Sequence, residues 1–259
     1  MPSANRASVR GADQAASAVR VGLIGLGAIG KQVADGIQAG LGGDADLVGV
    51  LVQHSRPRAV AAPVVTEVGA FLGTGPQVVL EAAGPVAFAA CAQAIVSSGA
   101  SLITASGSAL VDPTLRARLE AACVQHGTRI YVPAGAVGGL DALAAAAAGG
   151  LNDVRLRIVE PSDAERLIFR GNALAAIRQF PSRLNSAAAV TLVAGPAVQL
   201  ELSQQPADRG REIELTASGA FGDLRVRLHP TPNPNRLSHI VALSLLACLR
   251  RLHQPIVFG

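Results

Sequence analysis

Residues Val21 to Val33 read VGLIGLGAIGKQV, and this stretch decides the fold class of the first half of the chain. An apolar run ends at Gly25, two more glycines follow at Gly27 and Gly30, and apolar residues then recur with helical spacing. In a G-x-G-x-x-G turn between a strand and a helix, the three glycines allow a tight turn, the approach of pyrophosphate to the backbone, and close helix–strand packing. The stretch therefore predicts a dinucleotide-binding turn whose phosphates face the helix N-terminus.

Short apolar segments alternate with helical segments as far as Val132, which is typical of a parallel sheet covered on both faces. The predicted strands are Arg20–Gly25, Asp46–Gln53, Gln77–Ala82, Ser101–Thr104 and Thr128–Val132, and the predicted helices are Lys31–Gly40, Pro85–Ser98 and Thr114–His126. We therefore predict a doubly wound α/β domain over residues 20–135, after a polar tail of residues 1–19.

The pattern changes after Gly150, where helical segments become fewer and some strands show alternation. The predicted strands of this part are Val154–Val159, Ala189–Ala194, Val198–Leu202, Glu212–Ala217 and Leu224–Leu228. They favour a mixed or antiparallel sheet, and so an α+β domain over residues 136–235. A last helix, Arg236–Leu252, has an apolar face and is expected to pack back on the first domain.

Composition narrows the range of partners. Only 3% of the 259 residues are aromatic and the arginines are dispersed, which argues against nucleic acid as a partner. The three cysteines are far apart, offer neither a zinc site nor a disulfide pattern, and fit a reducing cytoplasm. Because no uninterrupted apolar run is long enough to span a bilayer, we expect a cytoplasmic protein with a small-molecule substrate and no membrane or metal.

The segment after the second predicted strand bears on the choice between NAD and NADP. An NAD-selective site places a carboxylate there to bond the ribose 2′-hydroxyl. This chain instead has Gln53, His54, Ser55 and Arg56, followed by Pro57 and Arg58. Arginine and serine suit a 2′-phosphate, so the first four residues are expected cofactor contacts and NADP is favoured. The alternative is that these arginines belong to a solvated loop and do not contact the cofactor.

Several segments resemble the L-aspartate dehydrogenase family, in order, from roughly Arg20 to Leu252. They are GLGAIG, PAGAVGGLDAL (Pro133 to Leu143), GNALAAIRQFP (Gly171 to Pro181), LNSAAAV (Leu184 to Val190), SGAFG (Ser218 to Gly222) and the NPN before the last helix. The resemblance implies NAD(P)-linked interconversion of aspartate with iminosuccinate, or with oxaloacetate and ammonia. It also implies a Rossmann domain, an α+β domain that carries the substrate site and the subunit contact, and a homodimer.

The resemblance also implies a set of cofactor-binding residues. Ala136 and Asn185 match positions that contact the nicotinamide end. Small residues of two strand-end loops match positions that line it, where ligands bind in an open parallel sheet. The other interpretation is that small residues stand there only because the chain turns. The expected contacts around the glycine turn and these loops are Gly25, Leu26, Gly27, Ala28, Ile29, Gly30, Ala82, Ala83, Gly84, Ser106 and Gly107.

The chain departs from the family where the substrate is expected. The family carries an Asn-x-His before the GAFG turn, and that histidine is its catalytic acid/base. Counted without gaps from Gly219, the place of the histidine falls on Ile213 and that of the asparagine on Arg211. Isoleucine cannot transfer a proton, so we interpret Ile213 as a core residue.

The charged residues expected near the substrate also differ from those of the family. Glu160 stands where the family has a lysine before a proline, and Ser182 and Arg183 stand where it has a lysine and an asparagine. We interpret Glu160 as a solvated edge residue. Arg183 and Arg211 are candidates for binding carboxylates in a bidentate manner.

Because the family histidine is replaced, the proton carrier could be His239 or His229, the nearest histidines in the sequence.

Two hypotheses for function follow. The first is an NAD(P)-dependent oxidoreductase that acts on an amino acid or its imine, with Arg183, Arg211 and His239 in the catalytic site. The second is a nucleotide-binding protein that has lost catalysis and acts as a sensor or an assembly partner.

Overall fold

The first sheet is parallel and contains six strands. A computed structural model describes residues 18–54, 60–231 and 237–257. The strands are β1 (Val19–Ile24), β2 (Ala45–Leu51), β3 (Val64–Val65), β4 (Val78–Glu81), β5 (Ser101–Thr104) and β6 (Ile130–Tyr131). They lie in the order β3-β2-β1-β4-β5-β6, and every pair is parallel. The predicted doubly wound sheet is confirmed, with its change of winding direction between β1 and β4.

Helices cover both faces of this sheet. They are α1 (Ala28–Gln38), α2 (Val68–Gly73), α3 (Pro85–Ser97) and α4 (Pro113–His126), and a 3-10 helix spans Gly107–Val111. All four residues of β4 are buried, because the strand has an apolar layer on each side. The C-terminal helix α8 (Ile240–Arg251) packs its buried face against α1 and this sheet, as predicted. The predicted start of this helix, Arg236, lies outside the described residues.

The glycine turn shows why this sequence needs glycine. Gly25 has a φ of +89°, and a Cβ there would lie 2.8 Å from the Cα of Ala83. A Cβ on Gly30 would lie 2.1 Å from the carbonyl oxygen of Gly25, so α1 packs directly on the turn. A Cβ on Gly27 would meet nothing within 4 Å. Two of the glycines therefore serve packing within the protein, and Gly27 leaves open space in front of the helix N-terminus.

The second sheet has five strands in the order β11-β10-β7-β9-β8. They are β7 (Leu151–Ser162), β8 (Arg166–Asn172), β9 (Gln199–Pro206), β10 (Glu212–Gly219) and β11 (Gly222–Leu228). Only the β7–β9 pair is parallel, so the sheet is mixed. Helices α5 (Leu140–Gly149), α6 (Ala173–Gln179) and α7 (Asn185–Ala194) share its apolar core. The opposite face carries ion pairs such as Arg157–Glu212, whose Nη1 and Oε1 are 2.6 Å apart.

One predicted strand is wrong. Residues Ala189–Ala194 form the second half of α7 and are not a strand. A short run that is apolar throughout does not distinguish a buried strand from a buried helix. Here α7 is buried on most of its surface, against α5, α6 and β7, so its sequence lacks a polar stripe. Strand β8 was not predicted at all.

No helix in the described ranges is long and apolar enough to cross a lipid bilayer.

The packing of α1 on the glycine turn can be tested at Gly30. A methyl group there would lie 2.1 Å from a backbone oxygen, which cannot move without displacing the turn. We expect Gly30→Ala to lower the free energy of unfolding in urea by about 1–3 kcal/mol. The control is Gly69→Ala in α2, where an added Cβ meets nothing within 4 Å. That free energy should stay unchanged or rise by up to about 1 kcal/mol. Equal destabilisation by both variants would contradict a specific helix–turn contact.

Candidate functional site

A cavity of about 710 Å³ lies between the two sheets, at the carboxyl ends of β4 and β5. Its volume is within the usual range for small-molecule sites. The first sheet contributes the loops after β4 and β5, and the second contributes the ends of β7 and β11, the β9–β10 connection and the start of α7. The start of α8 closes another side. Of the residues predicted for the site, those that line the cavity are Ile29, Ala82, Ala83, Gly84, Ser106, Ala136, Arg183, Asn185, Arg211 and His239.

The glycine turn lies beside this cavity and fits a dinucleotide. Gly27 is the N-cap residue of α1, and its backbone faces open space. The N-cap residue has no side chain to cap this end of α1, and the N-terminus of a helix is a site where backbone N–H groups can bind a phosphate. Leu26 and Ala28 flank Gly27 in the turn, and Ile29 reaches the cavity wall.

The nicotinamide end of such a cofactor would meet small residues held by hydrogen bonds. The Asn185 Oδ1 accepts a bond from the Ser108 N–H at 3.2 Å, which ties α7 to the 3-10 helix. The N–H of Gly135 donates to the Ser244 Oγ at 2.9 Å, which ties the loop that carries Ala136 to α8. Gly107 does not line the cavity, because it is buried and a Cβ there would lie 3.1 Å from Val132.

The residues expected to select the cofactor lie at the end of β2. Gln53 and His54 are exposed, and they do not line the cavity. Ser55, Arg56 and Arg58 lie outside the described residues. The contacts predicted for this segment therefore stay predictions.

Two arginines that line the cavity, Arg183 and Arg211, pair with the same carboxylate. Glu160 forms ion pairs with Arg183 and with Arg211, whose Nη2 is 3.6 Å from the Glu160 Oε1. The Glu160 side chain is 16% exposed and belongs to β7, the central strand of its sheet. The interpretation of Glu160 as a solvated edge residue is therefore wrong. Two guanidinium groups compensate its burial, and the three side chains together carry one net positive charge.

The backbone of His239 is fixed at the N-terminal end of α8. The Gln32 Oε1 accepts hydrogen bonds from the N–H groups of Ser238, at 3.1 Å, and His239, at 2.9 Å. Burial lowers the pKa of the His239 imidazole, and the positive charge of Arg211 lowers it further. The imidazole is therefore held neutral at neutral pH.

Two residues that line the cavity each have a buried polar side-chain atom without a hydrogen-bond partner among the described residues. They are the His239 Nδ1 and the Arg211 Nε. Because buried polar groups are normally paired, these two atoms mark positions next to the cavity where a polar partner is expected.

The other two predicted positions, His229 and Ile213, do not line the cavity. The His229 imidazole is exposed, and its Nε2 lies 3.8 Å from the Glu212 Oε2. Ile213 is 2% exposed in the core of the second sheet, as expected for a core residue. On this segment the residue that lines the cavity is Arg211, two positions earlier.

Sequence reasoning missed Gln32 and Glu81. Gln32 belongs to a helical segment and matches no motif, so nothing in the sequence indicated its contact with His239. Glu81 could have been found from the sequence, because it is the only charged residue in the predicted strand QVVLEA. The structure shows that its side chain is 0% exposed.

Comparisons with known proteins cover both halves of the chain. Residues 25–133 match the family model described as homoserine dehydrogenase, NAD binding domain, and residues 141–252 match that of aspartate dehydrogenase, C-terminal. The chain is 31% identical to L-aspartate dehydrogenase of Methanospirillum hungatei, over 93% of this chain and 99% of that protein. It is 33% identical to L-aspartate dehydrogenase 2 of Bordetella pertussis, over 90% and 96% of the two chains.

Solved structures share the fold. The crystal structure of aspartate dehydrogenase from Thermotoga maritima has a TM-score of 0.76 and 24% identity, covering 93% of this chain and 99% of that one. Amine dehydrogenase from Mycobacterium smegmatis has a TM-score of 0.62 and 12% identity, covering 90% and 92%. The sequence relatives are dehydrogenases, so the hypothesis of a nucleotide-binding protein without catalysis is not favoured. The chain belongs to the L-aspartate dehydrogenase family of NAD(P)-dependent oxidoreductases.

Proposed function

We propose that this protein interconverts L-aspartate with its imine, or with oxaloacetate and ammonia, with His239, Arg183 and Arg211 acting on the substrate. The observation that carries the proposal is the pair of orphaned buried atoms, the His239 Nδ1 and the Arg211 Nε, at the cavity beside the glycine turn. When bound, the nicotinamide ring supplies or accepts the hydride. The chain's own residues hold the substrate and move a proton.

The two arginines supply the carboxylate-binding groups of the proposal. Guanidinium groups bind carboxylates through parallel N–H bonds, which orient as well as hold them. Arg183 and Arg211 converge on Glu160 and line the cavity, and the buried Nε of Arg211 has no partner among the described residues. Glu160 offsets one of the two positive charges. The site therefore favours an anion, with one net positive charge to attract it.

His239 is the proton carrier of the proposal. A neutral imidazole accepts a proton at a free ring nitrogen, and the Nδ1 of His239 has no partner among the described residues. In the direction of amino-acid oxidation, it would take the proton that the substrate releases. In imine reduction it would return one.

Cofactor preference, assembly and location complete the proposal. We infer a preference for NADP, supported by the absence of a carboxylate from residues 52–58. We also infer a homodimer through the second domain and a cytoplasmic location, supported by the family resemblance and by three cysteines that are free in the structure.

Cofactor binding can be tested at Gly27. A valine side chain there would fill the open space in front of α1, while the φ of −78° suits any residue. We expect Gly27→Val to weaken NADPH binding, measured by nucleotide fluorescence, by at least about tenfold. Gly69→Val, at an open position on α2, is the control and should bind NADPH as the wild type does. Unchanged NADPH affinity in a folded Gly27→Val protein would show that the cofactor does not bind at this turn.

Turnover with a panel of substrates tests the proposed reaction and the cofactor preference together. NADPH oxidation is followed with ammonia and a series of 2-oxo acids, and NADP⁺ reduction with aspartate. We expect oxaloacetate and aspartate to give turnover of at least about 1 per second, an ordinary enzymatic rate, and NADPH to be preferred to NADH. Tight cofactor binding with no turnover on any substrate would refute the reaction. Tighter binding of NADH would refute the role given to Arg56.

The role of His239 predicts a kinetic and a spectroscopic result. Loss of a general acid/base typically lowers a rate by about 10² to 10⁴, so we expect His239→Asn to lower kcat by this factor and leave NADPH affinity unchanged. His229→Asn is the matched control and should be active. An NMR titration of His239 should have its midpoint below the ordinary value of 6.5, and Arg211→Gln should raise it by removing a positive charge.

The sign of the pH effect follows. Because the pKa of His239 is lowered, the base form persists into mildly acidic solution, and oxidation of the amino acid should fall only below pH 6.5. A midpoint above 6.5, or a fully active His239→Asn protein, would assign the proton to another group.

A further inference from the structure

Glu81 is a buried carboxylate that the proposed reaction does not use. It ends β4, is 0% exposed, and follows three buried apolar residues. Removing a carboxylate from water is unfavourable unless hydrogen bonds replace the lost solvation. The bonds that Glu81 makes therefore show what this position does.

Within the described ranges, the hydrogen-bond donors to the Glu81 carboxylate come from the two cavity-lining loops or their strands. The Oε1 accepts the backbone N–H of Ala83 at 2.7 Å and that of Gly84 at 2.8 Å. The Oε2 accepts the Thr104 hydroxyl at 2.5 Å, and the Thr104 Oγ1 accepts the N–H of Ser106 at 2.9 Å. One carboxylate thus joins the loop after β4 to the loop after β5.

The same anchor reaches the glycine turn through Ala83. The backbone and Cβ of Ala83 pack so closely on Gly25 that a Cβ on Gly25 would lie 2.8 Å from the Ala83 Cα. Moving Ala83 would therefore disturb the turn that holds the pyrophosphate. Three cofactor-facing loops depend on the position of one side chain.

The side chains of these two loops are small. They consist largely of alanine, glycine and serine, whose side chains make few contacts, and Gly84 has a φ of +109°. Hydrogen bonds to an ionised acceptor are stronger than neutral ones, so a carboxylate suits this task better than an amide. Burial raises the pKa of the nearby Cys91 thiol to about 11, and the negative charge of Glu81 contributes to the rise.

We propose that Glu81 is a positioning residue for the dinucleotide, holding the loops after β4 and β5 and the glycine turn in the arrangement that the cofactor binds. Glu81 does not touch the cofactor in this proposal, because its carboxylate is directed into the protein. The proposal rests on the NAD(P) dependence of the chain and not on the identity of the substrate.

The test replaces Glu81 with glutamine, which keeps the shape and removes the charge. We expect Glu81→Gln to weaken NADPH binding about tenfold. In the ligand-free protein, amide hydrogen exchange should accelerate at Ala83 and Gly84 while β4 itself stays protected. Thr104→Val should accelerate exchange at Ser106 alone and weaken binding less. The matched control is Thr128→Val, which removes another buried hydroxyl, bonded to the Val96 carbonyl at 3.2 Å, and should change neither measurement.

Each outcome decides the proposal. Wild-type NADPH affinity in folded Glu81→Gln would overturn it, as would acceleration of exchange spread evenly over the sheet. If Glu81→Gln does not fold, Thr104→Val decides, and unchanged affinity and exchange in that variant would overturn the proposal. Both measurements use no substrate, so a wild type that binds NADPH without turnover would refute the proposed reaction and leave this test intact.

Discussion

The contact between Gly30 and the carbonyl of Gly25 is the constraint on which the rest of the molecule depends. Because no Cβ intervenes, the first turn of α1 lies directly on the glycine turn, and Ala83 packs on the other side of the same turn. The ends of β1 and β4 lie side by side next to this turn, where Ile24 pairs with Glu81. A larger residue at either glycine would push the loops apart before any ligand arrived.

The second sheet adds charged groups to the cavity. Its core, made with α5, α6 and α7, holds β7 and the start of α7 at the rim of the cavity, so that Glu160 and Arg183 meet there. The burial of Glu160 between two arginines keeps one net positive charge at the site. The same charge acts on His239, where Arg211 adds to the effect of burial and favours the neutral imidazole.

The C-terminal helix joins the two halves. Its apolar face packs in the core around β1 and α1, while its N-cap residue, His239, lies at the cavity. Gln32 of α1 fixes that end by accepting two backbone N–H groups. A residue far along the chain is thus positioned by the same helix that begins at the glycine turn.

The sequence by itself determined the doubly wound sheet, the glycine turn and the family resemblance, because each depends on local spacing of residue types. It did not determine whether Ala189–Ala194 form a strand or a helix, because an apolar run that is buried on most sides shows no periodic spacing of polar residues. Nor did it show that Glu160 is central and paired, that His239 reaches the cavity while His229 does not, or that Glu81 joins two loops. These features depend on strand order and on contacts between distant segments, and charge and burial at such positions arise only when the chain has folded.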